Sequence, residues 1–216
     1  MSGVKNDVFF KNIPENLSGL FEDESTPWAS LKSDLKSFFS SENKIEGTVS
    51  PQAFLEGEGI VIEKGAVVEA FSYIKGPCFI GSGSEIRHGA YIRGHVYIGK
   101  NCVVGHSTEV KHSIFFDDAK AGHFNYIGDS ILGCNVNLGA GTKIANLKIT
   151  PGNVFLKIND KSIDSQLRKF GAIIGDNSET GCNSVLNPGT LLAASSKVFP
   201  LASVSGVHLK KTVIRT

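Results

Sequence analysis

A spacing of six residues between apolar side chains runs through the middle of this chain and restricts its fold more than any other feature. Ten such residues follow one another without a gap: Ile62, Val68, Ile74, Ile80, Ile86, Ile92, Ile98, Val104, Val110 and Phe116. A small or slim residue stands four positions after most of them, and the pattern returns from Ile174 to Val204. Six is the period of neither a helix nor an ordinary strand. The spacing predicts an all-β solenoid of hexapeptide repeats, a parallel β-helix.

Three hexapeptides make one triangular coil in such a fold, so residues eighteen apart stack along the axis. The aliphatic residue and its small partner point inward, which assigns Cys78 and Cys102 to the core as thiols. The four cysteines of the chain form no close-spaced zinc or redox motif. A glycine often follows the aliphatic residue, as Gly105 follows Val104, and we expect it at a corner with positive φ.

Composition argues against several classes of partner. The net charge is +1, so charge gives no reason to expect nucleic acid or an anionic membrane surface. We find no pattern typical of a signal peptide and no run of about eighteen apolar residues that could cross a bilayer. The sequence therefore predicts a cytoplasmic protein.

The repeat divides the chain into two predicted parts. Residues 1–55 lack the period and are expected to form a short, mainly helical N-terminal cap. Within them, Glu22–Ser41 has apolar residues at three- and four-residue intervals, which predicts one amphipathic helix over the open end of the solenoid. Residues 56–216 are expected to form the β-helix, with an excursion loop at about 147–169 that is rich in turn residues.

The six-residue spacing fails between Phe116 and Leu132. The stretch Lys120–Tyr126 does not fit a hexapeptide, and the pattern resumes after a phase slip. His123 lies within this apparent break. An imidazole is suited to general base catalysis because its pKa lies near neutrality, so His123 is the first candidate for a catalytic residue.

The sequence from Lys120 to Thr142 is KAGHFNYIGDSILGCNVNLGAGT. It closely resembles the acetyltransferase domain of the bifunctional N-acetylglucosamine-1-phosphate uridyltransferase/glucosamine-1-phosphate acetyltransferases, a left-handed parallel β-helix. The resemblance extends to Glu109-Val110-Lys111 and to the RKF and IIGD sequences before Asn177, so it spans about residues 60–205. It implies an acyltransferase that uses acetyl-CoA as co-substrate and an amino-sugar phosphate, glucosamine 1-phosphate in the simplest case, as acceptor.

The resemblance also implies roles for individual residues. His123 matches the base that takes a proton from the sugar amine, and Glu109 matches the carboxylate that orients this base. Residues that match sugar- or phosphate-binding positions are Arg93, Arg87, Lys111, Tyr126, Asn137, Asn146 and Lys169. For the arginine, ungapped counting gives Arg93, whereas the Arg-x-Gly-Ala context favours Arg87. Arginine and lysine side chains are both suited to bind a phosphate monoester.

Three residues match coenzyme-binding positions: Ala140, Cys182 and Pro200. The backbone N–H groups near Ala140 are expected to stabilise the tetrahedral oxyanion. This chain departs from the family in that Leu147 replaces a tyrosine, Cys182 a serine and Pro200 an alanine, and the excursion before Lys169 is longer. These changes affect the acceptor and coenzyme pockets more than the base.

Two alternatives remain open at this stage. One is a non-catalytic β-helix that trimerises or regulates a separate sugar-phosphate nucleotidyltransferase. The other is a zinc enzyme that uses His88 and His106, which are eighteen apart and should stack. Residues 1–55 lack a glycine-rich phosphate loop, so uridylyl transfer is not expected. The flat face of a single prism is too shallow to enclose a sugar and a coenzyme. We therefore expect a homotrimer with its sites between neighbouring chains.

Overall fold

The computed structural model describes residues 4–23 and 26–215. Its main part is a parallel β-solenoid, as the hexapeptide spacing predicts and as is typical of the left-handed β-helix class. Short strands follow one another around each coil in the order sheet A, sheet B, sheet C, and every strand pairs in parallel with its equivalent in the next coil. We name the turns between the sheets the A–B, B–C and C–A corners.

Within the described chain, two sheets have nine strands and one has eight. Sheet A contains Lys44–Ile45, Ile60–Ile62, Cys78–Ile80, Val96–Ile98, Ser113–Phe115, Ile131–Leu132, Ala172–Ile174, Thr190–Leu192 and Val207–His208. Sheet B contains Thr48–Val49, Val67–Val68, Glu85–Ile86, Val103–His106, Lys120–His123, Asn137–Leu138, Glu179–Thr180, Lys197–Val198 and Val213–Ile214. Sheet C contains Phe54–Glu56, Tyr73–Lys75, Tyr91–Arg93, Glu109–Lys111, Tyr126–Gly128, Lys143–Ile144, Val185–Leu186 and Ser203–Val204.

The interior of the prism is filled by the predicted aliphatic and small residues. Ile80, Ile98 and Val110 are fully buried, and so are Cys78 and Cys102. Burial raises the pKa of each of these two thiols to about 12, so they stay protonated at neutral pH. This confirms the interpretation of Cys78 and Cys102 as core residues.

The apparent break around His123 is a regular part of the solenoid, so the prediction of an interruption there was wrong. Ile80 pairs with Ile98, eighteen residues on, but Ile98 pairs with Phe115, seventeen residues on. The residue is lost at the C–A corner, where Lys111 and Ser113 are separated by His112 alone. Phe115, not Phe116, therefore points into the prism.

The expectation that Gly105 has positive φ was also wrong. Gly105 does not have positive φ. A Cβ atom on Gly105 would instead collide with the carbonyl oxygen of Gly122 in the next coil. The glycine is needed because two coils approach closely there.

The N-terminal segment packs along the side of the solenoid, whereas the sequence suggested a cover for its open end. It contains 3-10 helices at Asn6–Val8, Glu15–Phe21 and Pro27–Leu31 and one α-helix at Ser33–Phe38. The single amphipathic helix predicted over Glu22–Ser41 is thus interrupted at Lys32 by an extended ψ of −147°. Aromatic and aliphatic side chains of this segment, including Trp28, cluster with the outward residues of sheet A. The outer face of sheet A is apolar, and its removal from water is favourable. This explains why the N-terminal segment packs on it.

The excursion leaves sheet C after Lys143–Ile144 and returns before Ala172–Ile174. Leu147 and Lys169 form an antiparallel bridge at its base. Its distal part is an antiparallel hairpin of Phe155–Ile158 and Lys161–Asp164. The excursion contributes Phe170 at its end, whose ring lies 6.4 Å from that of Trp28.

Candidate functional site

The B–C corner brings the predicted base and the predicted coenzyme residues into one column. Equivalent corner positions in successive coils are occupied by His88, His106, His123, Ala140, Cys182 and Pro200. The carbonyl of His123 accepts a hydrogen bond from Gly141 N–H at 2.9 Å, and that of Ala140 accepts one from Asn183 N–H at 2.8 Å. Neighbouring coils are about 4.8 Å apart. His123 therefore lies directly beside Ala140.

The backbone at His123 is fixed while its imidazole is exposed. The His123 N–H donates to Asn125 Oδ1 at 3.2 Å, and the buried Asn125 amide donates to Gly139 O at 2.8 Å. No hydrogen bond joins the His123 ring to another group in the described part of the chain. The expected contact from Glu109 is not formed, because the Glu109 carboxylate is bound by Arg93 at 2.6 Å.

The outer face of sheet C carries a polar patch beside this corner. Glu109 pairs in register with Tyr91 on one side and with Tyr126 on the other. The hydrogen bond to Glu109 raises the pKa of Arg93, whose guanidinium also lies 5.8 Å from the centre of the Tyr91 ring. Burial, with help from the charges of Glu109 and Asp129, raises the pKa of Tyr126. The Tyr126 hydroxyl therefore stays protonated at neutral pH and can donate a hydrogen bond.

A buried carboxylate, Asp129, organises the far edge of this face. It accepts hydrogen bonds from His112 Nδ1 at 3.0 Å, from Lys111 Nζ at 3.2 Å and from the Asn146 amide. Burial raises the pKa of Asp129, but these donors outweigh burial and hold the pKa below its ordinary value. Tyr126 OH lies 3.4 Å from Asn146 Oδ1 and extends the network toward Glu109.

A cavity of about 890 Å³ opens at the C–A corner, between the N-terminal segment and the return of the excursion. Its cationic lining residues are Lys32, Lys36, Arg93, Lys111, Arg168 and Lys169. Asp129 is the one carboxylate among the described lining residues. Burial, together with the charges of His112, Lys36 and Lys111, lowers the pKa of His95 in the same wall. The cavity is therefore suited to bind an anion.

The structure separates the predicted acceptor residues into two groups. Arg93, Lys111 and Lys169 line the cavity, and Tyr126 and Asn146 connect to it through Asp129. By contrast, Arg87 and Asn137 lie on sheet B, on the other side of the His123 corner. Arg87 pairs with Glu85 there at 2.7 Å. Of the two candidate arginines, Arg93 is the one that shares a face with Lys111.

Sequence reasoning missed several residues of this site. Asp129 stands in the YIGD motif, next to residues that were assigned roles, so the motif itself was a signal for it. Arg168 stands in the RKF sequence beside Lys169, which was assigned a role, so that sequence was a signal as well. Lys32 and Lys36 gave no such signal, because only tertiary packing brings the N-terminal segment to the C–A corner.

The histidines expected for a zinc site do not converge. The rings of His88 and His106 stack at 5.4 Å with an angle of 12° between them. Among residues 4–23 and 26–215, no group of three or more His, Cys, Asp or Glu side chains is placed to hold a metal ion. A zinc site requires three or four converging ligands.

No helix among the described residues has the length and apolar character needed to span a bilayer.

Comparison with known proteins gives related sequences over most of the chain. The sequence family described as the GMPPB C-terminal domain matches residues 74–163. The bifunctional protein GlmU of Methanococcus maripaludis is 38% identical over 182 residues, which is 84% of this chain and 44% of that protein. A bifunctional sugar-1-phosphate nucleotidylyltransferase/acetyltransferase of Sulfurisphaera tokodaii is 39% identical over 93 residues, 43% of this chain and 23% of that protein.

Among solved structures, the UDP-N-acetylglucosamine acyltransferase of Francisella novicida matches 74% of this chain and 68% of its own, with a TM-score of 0.49 and 14% identity. This chain spans less than half the length of the bifunctional relatives that it matches. The sequence similarity nevertheless confirms the resemblance that the KAGH and YIGD motifs predicted: over 84% of its length, this chain is similar in sequence to part of the bifunctional protein GlmU.

Proposed function

We propose that this chain is a CoA-dependent N-acetyltransferase that acts on an amino-sugar phosphate, in the simplest case glucosamine 1-phosphate. Its product would be N-acetylglucosamine 1-phosphate, as needed for UDP-N-acetylglucosamine biosynthesis. One observation supports this most strongly. The outer face of sheet C has an exposed imidazole, His123, at one edge and a cationic cavity at the other. An amino group and a phosphate on one small molecule match these two edges.

In the proposed reaction, the neutral amine attacks the carbonyl carbon of the acetyl thioester. The new N–C bond forms as His123 takes a proton from the amine nitrogen. The C–S bond then breaks, and the CoA sulfur leaves as a thiolate that can recover this proton. Proton transfer of this kind contributes typically about 10²–10⁴-fold to the rate.

The B–C corner column suits the second substrate, acetyl-CoA. Ala140 is small, Cys182 and Pro200 are exposed, and all three follow His123 along one line. The N–H of Ala140 donates no hydrogen bond within the described chain. We assign this free donor to the oxyanion that develops on the thioester carbonyl, since preorganised backbone N–H groups are effective there.

Two chains are needed for a complete site in this proposal. The matched acceptor residues Arg87 and Asn137 face outward from sheet B, whereas Arg93, Lys111 and Tyr126 face outward from sheet C. One prism cannot turn both faces toward the same ligand, but sheet B of one chain and sheet C of its neighbour can. We therefore infer a homotrimer with a site between each pair of chains.

The decisive experiment measures thiol release from acetyl-CoA in the presence of glucosamine 1-phosphate. We expect His123→Ala to lower kcat by about 10²–10⁴-fold. His88→Ala is the matched control, because His88 occupies the same corner position two coils away, and it should keep the parent rate. A His123→Ala protein as active as the parent would remove this residue from the mechanism.

A second candidate is a non-catalytic β-helix that trimerises or regulates a separate sugar-phosphate nucleotidyltransferase. It is favoured by Leu147, which replaces a polar sugar contact of the family, and by the lack of a carboxylate partner for His123 in the described chain. No thiol release with amino-sugar phosphates, combined with co-purification of such an enzyme, would support this candidate instead.

A further inference from the structure

The cavity at the C–A corner is larger and more cationic than a sugar monophosphate requires. Its volume of about 890 Å³ is near the upper end of the range of roughly 300–1,000 Å³ that encloses drug-sized ligands. A hexosamine monophosphate is smaller than such ligands. The cavity therefore has room for a ligand that extends beyond the sugar and its first phosphate.

Five of the six cations of the cavity form two groups that differ in their partners. The inner pair is already neutralised, since Arg93 binds Glu109 and Lys111 binds Asp129. The outer group consists of Lys36, Arg168 and Lys169, and none of these forms an ion pair with a carboxylate in the described residues. The outer group therefore has positive charge that a ligand can neutralise.

The outer cations lie on separate walls. Lys36 belongs to the N-terminal segment, whereas Arg168 and Lys169 stand at the return of the excursion. These walls are held together by the packing of Trp28 on Phe170 and by the hydrogen bond from Lys32 Nζ to Gln166 Oε1 at 2.8 Å. Charged hydrogen bonds to phosphate are short, about 2.7–2.9 Å. Because the inner pair and the outer cations belong to sheet C, the N-terminal segment and the excursion, we expect two linked phosphates to contact more of them than one phosphate does.

The cavity also has an apolar part. Leu147 and Leu167 line it beside the cations, and Leu147 is 47% exposed. Leu147 is one of the positions at which this chain departs from the family. Leucines next to phosphate-binding cations suit a ligand with a flat, weakly polar group attached to its phosphates, as in a nucleotide.

We propose that the acceptor is a nucleoside-diphosphate-linked amino sugar. The sugar lies on the outer face of sheet C, its diphosphate crosses from Arg93 and Lys111 to the outer cations, and its nucleoside packs on the leucines. This inference deepens the proposed function and rests on it, because the bound amino sugar is an acceptor only if the chain transfers an acetyl group. The ligand class itself is tested by binding alone.

The experiment is calorimetric titration of the full chain, without acetyl-CoA, with three probes: UDP-glucosamine, UDP and glucosamine 1-phosphate. We expect UDP-glucosamine to bind at least about ten-fold more tightly than glucosamine 1-phosphate, and UDP to retain much of that affinity. Arg168→Ala should weaken UDP-glucosamine binding about ten-fold, as expected for a lost charged hydrogen bond, and glucosamine 1-phosphate binding less than two-fold. Lys64→Ala, an exposed lysine away from the cavity, is the matched control and should change neither.

Two outcomes would overturn the inference: equal affinity for UDP-glucosamine and glucosamine 1-phosphate, or an Arg168→Ala variant that weakens both alike. Acetylation of glucosamine 1-phosphate with no preference for the nucleotide would then leave the proposed function standing. Conversely, tight UDP-glucosamine binding that depends on Arg168, but without acetylation of either sugar, would support the ligand class and contradict the acetyltransferase. Arg168 is exposed, so its variant should keep the parent melting temperature, which is measured alongside.

Discussion

At the scale of single residues, Asp129 links the groups that would hold the acceptor. It is 5% exposed and receives hydrogen bonds from Lys111, His112 and Asn146. Lys111 is thereby fixed at the mouth of the cavity instead of extending into solvent. A carboxylate that is buried with its donors has a structural role of its own, because removing it leaves those donors unpaired.

We predict that Asp129→Asn lowers the free energy of unfolding by about 2–3 kcal/mol, since it leaves a partly buried charge without its partner. Urea denaturation measures the change. Asp160→Asn is the control, because Asp160 is 96% exposed in its pair with Lys157, and it should change stability by less than about 0.5 kcal/mol. An unchanged urea midpoint for Asp129→Asn would contradict this account of the network.

The same residue makes a prediction about pH. The pKa of Asp129 in the folded state lies below its ordinary value of 3.8. Its contribution to stability is therefore fully present above that value and is lost as the pH falls through the lowered pKa. The difference in stability between the parent and Asp129→Asn should be constant from neutral pH down to about pH 5 and shrink below about pH 4. A difference that instead changes between pH 7 and pH 6 would contradict the assignment of this pH dependence to the Asp129 carboxylate.

At the scale of elements, the shortened C–A corners place the site. Coils of eighteen residues change to seventeen where His112 and then Asp129 take positive φ, 46° and 48°. Successive shortened corners stack His112 and Asp129 within hydrogen-bond distance. The strand that carries His123 continues sheet B without distortion, so the base stands on a rigid element.

The tight stacking of these coils predicts a difference between two neighbouring glycines. Gly105→Ala should destabilise the protein by about 1–3 kcal/mol, because its Cβ would meet the Gly122 carbonyl in the next coil. Gly122→Ala should be tolerated, because nothing lies within 4 Å of the Cβ position on Gly122. Thermal unfolding of both variants checks this. Equal melting temperatures for the two would show that the coils can separate locally at little cost.

At the scale of the whole molecule, the N-terminal segment and the excursion act together as one wall of the cavity. Trp28 is 2% exposed and packs on Phe170. The segment thereby covers the apolar face of sheet A and carries Lys32 and Lys36 to the C–A corner. We therefore expect stability and ligand binding to be coupled through this contact.

We predict that Trp28→Ala destabilises the protein by about 3–5 kcal/mol, as is usual for truncation of a buried aromatic side chain, and that it also weakens anion binding at the cavity. Phe155→Ala is the control, since Phe155 is 56% exposed on the hairpin, and it should leave both properties near those of the parent. Urea denaturation and calorimetric titration with UDP give the two readouts. A destabilised Trp28→Ala protein with parent affinity would show that the wall forms without this contact.

The proposed homotrimer, with a site between each pair of chains, leads to a prediction that a monomer would not fulfil. Light scattering should give three times the mass of the chain. Asn137→Ala on sheet B and Lys111→Ala on sheet C should each be inactive as pure proteins, but mixed trimers, formed by unfolding and refolding together, should regain part of the activity. Mixed subunits regain activity only if the two residues act from different chains. A monomer, or mixtures that stay inactive, would contradict sites between chains.

The sequence alone predicted the solenoid, because this fold depends on local repetition. The inward positions of Ile80, Ile98 and Val110 follow directly from the six-residue period of the sequence. The stacking of His123, Ala140 and Cys182 on one corner did not follow from a spacing of eighteen, because the first two are seventeen apart and the excursion separates Ala140 from Cys182. The phase slip was visible too: of the two shortened corners, the one at Asp129 lies within the predicted stretch between Phe116 and Leu132, whereas the one at His112 precedes it.

Tertiary structure decided what lies around that corner. The pairing of Glu109 with Arg93, the location of the slip at His112, and the position of the N-terminal segment on sheet A all depend on contacts between residues far apart in the chain. The cavity depends on them most, since Lys36 and Arg168 meet there from segments without any repeat. A period determines which residues stack, because every coil repeats nearly the same geometry. The packing of the non-repeating segments depends instead on the outer surface of the whole solenoid, which no local sequence pattern encodes.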